Sequence, residues 1–199
     1  GTVDVSDTIN SLMDEKWGKR VIYFPAGTYL VSKMLKFQWG CAYGGSSHGN
    51  IIVGESRTKT IFKLKDGTWP TPLSTDIAKP LEQIVWNTGA CNNKQFGRQM
   101  HNFTIDIGTN NGGATGVAFG TSNYGACTDI TIISKDGAGY MGLAVANGEV
   151  GPALIKRVKI EGFDVGIYAA ATDQSTYSQI QLSGQRRYGF YNRWRSNVD

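Results

Sequence analysis

Cysteine is scarce in this 199-residue sequence, and its placement excludes more than its number does. Cys41, Cys91 and Cys127 are odd in number and far apart, so they form neither a disulfide framework nor a metal-ligand spacing. They are expected to be small buried hydrophobes. Histidine is scarcer still: His48 and His101 are too distant in sequence for a zinc motif and have no serine or cysteine partner at a recognisable spacing. Surface or turn positions are expected for both, with no metal and no other cofactor. Long apolar runs are missing because glycine and polar residues break every uncharged stretch, which excludes a membrane span. The chain opens with Gly1-Thr-Val-Asp4, which is not a signal peptide, so a secreted protein would carry its address label elsewhere. No block of one charge occurs either. The net charge of +4 comes from scattered Lys and Arg without a nucleic-acid-binding motif, which leaves a solvated basic surface or attraction to an acidic polysaccharide.

What is abundant is glycine, 26 residues of it, in a chain that is 40% hydrophobic and 18% charged. Such a composition is too apolar for disorder and suits many short strands joined by many turns. Nothing marks a linker, so residues 1–199 are read as one domain. Ser6 to Lys19 places Ile9, Leu12, Met13 and Trp17 on one face at helical spacing, with Ser6 or Asp7 available as the cap. Two strands follow, Val21 to Phe24 and Thr28 to Ser32, around the turn Pro25-Ala26-Gly27.

The second half repeats itself. Gly116-Val-Ala-Phe, Gly142-Leu-Ala-Val, Gly166-Ile-Tyr-Ala and Gly189-Phe-Tyr-Asn recur at intervals of 26, 24 and 23 residues. Each is preceded by an alternating strand: Phe103-Thr-Ile105, Ile130-Thr-Ile132, Val158-Lys-Ile160 and Ile180-Gln-Leu182. A period-two alternation recurring about every two dozen residues predicts an all-β, single-stranded right-handed parallel β-helix with an N-terminal capping α-helix. Its coils would lie ~4.8 Å apart and stack like residues into ladders. The β-sandwich alternative needs antiparallel hairpins with closely spaced turns, for which no in-phase period exists. Trp17, on the helix's apolar face, would help to plug the open end of the stack.

Two segments carry a resemblance. Asp7-Thr-Ile followed by Val21-Ile-Tyr-Phe-Pro-Ala-Gly-Thr-Tyr-Leu-Val-Ser32 resembles the opening of the pectate-lyase-like superfamily of β-helix proteins. Gln95-Phe-Gly-Arg-Gln-Met-His-Asn-Phe-Thr-Ile-Asp106 is similar to a middle-coil segment of the family 55 exo-β-1,3-glucanases, and Ser122 to Tyr191 looks like bacterial proteins related to glycoside hydrolase family 28. The resemblance implies a secreted, extracellular protein acting on polysaccharide, either as a glycoside hydrolase or as a part of one, without a cofactor. Relative to that superfamily the chain lacks an opening strand and a C-terminal cap, so truncation at both ends is expected. A non-catalytic carbohydrate-binding β-helix of the tailspike or adhesin kind stays open beside it, as does a polysaccharide lyase.

Glycoside hydrolysis needs two carboxyl groups about a bond, ~5 Å apart for retention or ~6.5–9.5 Å for inversion. Continuing the ladders by one place aligns Asp106, Ile133, Glu161 and Ser183, which puts Asp106 and Glu161 two coils or ~9.6 Å apart. They are the catalytic candidates, set against the plainer role of satisfying turn backbone next to Gly108 and Gly162. Asp164, between Gly162 and Gly166, reads as a turn residue. Asp129, stacked with Asn102, Arg157 and Gln179, reads as a ladder of amides with one ion pair. The polygalacturonase motifs Asn-Thr-Asp, Asp-Asp, Gly-His-Gly and Arg-Ile-Lys are absent. Arg157 and Lys159 are exposed candidates for holding an acidic sugar, but no acidic cluster flanks them as a lyase's calcium would require. Tyr168 and Tyr191, adjacent in one outward ladder, and Trp86 are candidates for stacking on sugar rings, or for stabilising the sheet. The insertions from Lys36 to Asn50 and from Asp66 to Gln83 would project from one side of the solenoid.

Overall fold

A computed structural model of the chain describes residues 1–13, 20–37, 47–48, 50–70, 83–87, 95–146, 151–170 and 174–193. Within them the strands fall into two sheets, of 12 and 6 strands, and every pairing is parallel. The chain winds alternately through both sheets, and each coil lies on the one before it, which is the parallel β-helix that the repeat predicts.

The inward ladders run further than the glycine repeat alone reveals. On the first sheet, Ile22, Ile52, Met100, Cys127, Ile155 and Tyr177 form six successive rungs. A second ladder of six runs Tyr29, Phe62, Ile105, Ile132, Ile160 and Leu182. On the second sheet, Leu35, Val85, Val117, Leu143, Ile167 and Phe190 make a third. The first half of the chain, which shows no glycine repeat, therefore contributes two further coils. Alternation drives all of these side chains but Phe190 into or against one continuous core, from Phe24 and Val31 at one end to Ile160 and Ile167 towards the other. Phe24, Phe62 and Phe103 fill its N-terminal part edge to face, with ring centroids 4.9 and 5.3 Å apart. At the last described rung the cover thins, and Phe190 is 44% exposed.

Between its two flat stretches the first sheet bends at one residue per coil. Asn102, Asp129, Arg157 and Gln179 occupy this corner in the left-handed region, at φ of 61°, 58°, 52° and 55°. Off glycine this conformation costs ~1–2 kcal/mol per residue, and short polar side chains such as Asn and Asp tolerate it best. Repetition in four successive coils marks the corner as the hinge that turns one face of the solenoid into the next.

The N-terminal helix, Ser6–Met13, caps the stack in part as expected. Ile9 is buried in the core, but Leu12 is 54% exposed, so the apolar face is narrower than its spacing suggests. Trp17 lies outside the described residues. The start is capped by Asp4 rather than by Ser6 or Asp7: its carboxylate accepts the Ser6 backbone N–H at 2.8 Å and the Ser6 hydroxyl at 2.6 Å, and it also accepts from the Ser32 hydroxyl. Ser6 Oγ is thereby freed to accept the Ser32 N–H at 2.9 Å, while Asn10 bonds the Met34 carbonyl and the Lys36 N–H. These bonds dock the helix on the backbone of the first coil.

Candidate functional site

The two outward faces of the solenoid differ in kind. Tyr140, Met141, Ala144, Ala146, Val165 and Tyr168 form a second apolar cluster, separate from the core, on the outward side of the second sheet. Tyr168 and Tyr191 do stack in adjacent coils, with ring centroids 5.9 Å apart and planes at 20°. Yet Tyr168 is only 2% exposed, so it presents no open face to a sugar and serves packing here. Trp86 pairs through its backbone with Lys36 and Ala118, and its side chain lies outside what is described.

The outward face of the first sheet is open and polar. At its corner, Arg157 grips Asp129 through two bonds of 2.6 Å, from Nε to Oδ1 and from Nη2 to Oδ2. This fork holds the Asp129 carboxyl below the usual carboxylate range and against a smaller desolvation effect. From the loop between residues 54 and 60, Arg57 reaches over the same corner and donates from Nε to Thr131 Oγ1 at 2.8 Å and from Nη2 to the Ile130 carbonyl at 3.2 Å. Its own carbonyl accepts from Thr104 Oγ1 at 2.6 Å. Arg57, Arg157, Val158, Gln179 and Gln181 line a cleft of about 330 Å³. Lys159 and Glu161 continue the strand as an exposed pair at 3.0 Å, an arrangement worth little to stability in water. His101 stands nearby on the same face, bonded to Thr128 and Gln99 at 2.8 and 3.1 Å, and burial pulls its imidazole below the usual value despite Asp129.

The register places the two candidate carboxylates as the ladder requires: Asp106 pairs with Ile133, and Ile133 with Glu161. Their surroundings are unequal. Glu161 is half exposed, whereas the Asp106 side chain is 5% exposed, accepts the Gly108 N–H at 2.9 Å and pairs with Lys135 at 2.7 Å. Lys135 is in turn held above its usual range, first by its hydrogen bond to Asp106. Asp106 thus pins the turn that follows its strand. Asp164, expected in a turn, lies instead in the strand Phe163–Ala169 and pairs with Arg186 at 2.7 Å. Among the described residues no group of three His, Cys, Asp or Glu side chains converges to hold a metal ion. Cys127 is buried in the core, and burial pushes its thiol up to about 12; Cys41 and Cys91 lie outside the described residues, as does the side chain of His48.

On the stretch of the first sheet before the corner, the strand Ser122–Ile133 carries a bulge between Ser122 and Gly125. It thrusts Tyr124 into solvent at 82% exposure. Neither Tyr124 nor Arg57 stands in a sequence repeat, which is why pattern reading passes over both.

Residues 1–198 match the family described as Rhamnogalacturonase A/epimerase, pectate lyase-like. The chain belongs to this family. Membership of this pectate-lyase-like family makes it a polysaccharide-active protein, and the parallel β-helix above is the architecture that goes with it. No curated protein and no solved structure matches the chain.

The corner pair makes this pectate-lyase-like domain acid-sensitive in a definite direction. The carboxyls of Asp129, Asp4 and Asp136 all sit below their ordinary range, Asp129 through Arg157, and the other two because hydrogen bonds outweigh the opposing effect of burial. A depressed folded-state value gives stability that is present above the unfolded value and is lost as pH falls through the folded one. The melting temperature is therefore expected to fall on acidification below about pH 4, with a shallower fall in Asp129→Asn. Melts that do not change down to about pH 2 would contradict the assignment.

Proposed function

We propose that the domain works outside the cell and engages an acidic polysaccharide along the outward face of its first sheet, with the Arg57–Arg157 cleft as the site that holds a sugar carboxylate. The observation that carries this reading is the charge of the cleft. Arg57 and Arg157 each spend Nε and Nη2 on the protein and keep Nη1 unbonded. Lys156 and Lys159 end and begin the strands on either side of Arg157, so cations outnumber the two carboxylates, Asp129 and Glu161. A guanidinium matches a carboxylate in shape as well as in charge, and Gln179 and Gln181 beside it suit sugar hydroxyls. Membership of the pectate-lyase-like family supports the polymer class.

The test is binding to polygalacturonate, measured by titration at two salt concentrations. Arg57→Gln is expected to weaken binding about tenfold, the loss of roughly one charge-assisted contact, and to flatten the salt dependence. Absence of any binding to polygalacturonate would overturn the reading.

Glycoside hydrolysis is the second reading, favoured by the register that sets Asp106 and Glu161 two rungs, or ~9.6 Å, apart. Release of reducing ends that is lost in both Asp106→Asn and Glu161→Gln would support it, and turnover unchanged in both would reject it. Products absorbing as unsaturated uronates would instead identify a lyase.

A further inference from the structure

The bulge on the first sheet is built with more care than a connecting turn needs. Asn123 and Tyr124 are consecutive residues in the left-handed region, at φ of 47° and 62°, and Gln174, two coils on, joins them at 48°. Bulky residues seldom adopt this conformation unless their surroundings hold them in it. Here the surroundings do so. The coil below supplies the Gly97 N–H to the Asn123 carbonyl at 2.9 Å, and the Gln99 side-chain amide reaches the Tyr124 carbonyl at 3.5 Å. On the inner side, a Cβ at Gly125 would stand 1.8 Å from the Thr121 methyl, so only glycine lets the chain pass and threonine fills the space behind it.

This framework opens a groove of about 510 Å³, floored by Pro152, Ala153 and Leu154 and edged by Asn123, Tyr124, Gln174 and Thr176. None of the described residues that line it is charged. Leu154 is 37% exposed, an apolar surface left open beside the exposed Tyr124 ring. Among the described residues the side chains of Asn123, Gln174 and Thr176 have no hydrogen-bond partner, so two amides and a hydroxyl stand ready around an aromatic and aliphatic surface. A pyranose ring has this composition in reverse: a face of C–H groups ringed by hydroxyls.

The geometry points to a second carbohydrate subsite at this bulge, taking an uncharged pyranose residue against Tyr124 and Leu154. It rests on the polysaccharide reading above and extends it. Leu154 and Arg157 lie three residues apart on one coil, ~10 Å at ~3.3 Å per residue, so the uncharged groove before the corner and the charged cleft at it are neighbouring stations on the first sheet.

Two polymers separate the stations: polygalacturonate, which offers only charged residues, and a neutral galactan, which offers none. Affinity electrophoresis in gels cast with each is expected to show the wild type retarded by both. Tyr124→Ala should lose about tenfold or more in affinity for galactan and keep its affinity for polygalacturonate, and Tyr124→Phe should keep both, because the ring and not the hydroxyl makes the contact. Arg57→Gln should show the opposite pattern. Galactan binding that is absent in the wild type, or undiminished in Tyr124→Ala, overturns the subsite while leaving the charged cleft intact. Loss of polygalacturonate binding in the wild type overturns the functional reading itself.

Discussion

Gly142→Val is expected to destabilise the protein by more than about 3 kcal/mol, lowering the melting temperature by roughly 6–12 °C. The reason is contact rather than backbone torsion. A Cβ at Gly142 would sit 2.3 Å from the Ile160 Cγ2 methyl and 2.8 Å from the Gly166 carbonyl oxygen of the next coil. Side chains can turn aside, but a carbonyl within a parallel ladder cannot move without breaking the bonds between coils. Gly116 faces the same restriction from Ile132 and from the Gly142 carbonyl, and it marks the same column one coil earlier. Thermal melts followed by circular dichroism would measure the effect, and a valine variant that melts with the wild type would show that the coils are not packed this closely.

The partner of that contact should be nearly as sensitive. Ile160 is fully buried, sits between Ile132 and Leu182 in its ladder, and reaches across the core towards Gly142. Ile160→Ala is expected to cost ~2–5 kcal/mol, the lost transfer energy together with a cavity that neighbouring coils cannot close. The two sites share one volume, so their effects should not add. In Gly142→Ala/Ile160→Ala the new methyl enters the space that the isoleucine vacates, and the double variant is expected to be more stable than the sum of its parts by ~0.5–3 kcal/mol. Urea titrations of the four proteins in this cycle would detect the coupling, and strict additivity would separate the two residues.

These contacts explain how much of the molecule was legible in the sequence. Ile105, Ile132, Ile160 and Leu182 announce their stacking because nearly equal turn lengths keep them in phase, and the same regularity exposes the glycine column. Leu35 and Val85 occupy the same ladder as Val117 but stand 50 and 32 positions before their next rungs, so no period links them by eye. The site was less legible. Register placed Asp106 and Glu161 on one line, but burial by a neighbouring turn, which no strand pattern encodes, sequestered Asp106 with Lys135. The outward position of Tyr168 was likewise readable, whereas its 2% exposure depends on what lies over the sheet. Arg57 and Tyr124 come from a loop and a bulge, which interrupt the periodicity on which sequence reading depends.

The ladder running from Leu35 through Val85 to Phe190 has a consequence for how such a protein diversifies. Because a rung is seated by the rungs directly above and below it, the length of chain spent between rungs is nearly free to change, and extending a flexible loop adds only slowly to its closure entropy. New recognition surfaces can therefore be inserted at the turns while the stacked interior carries on beneath them. Ligand preference and mechanical integrity are inherited separately in this scaffold.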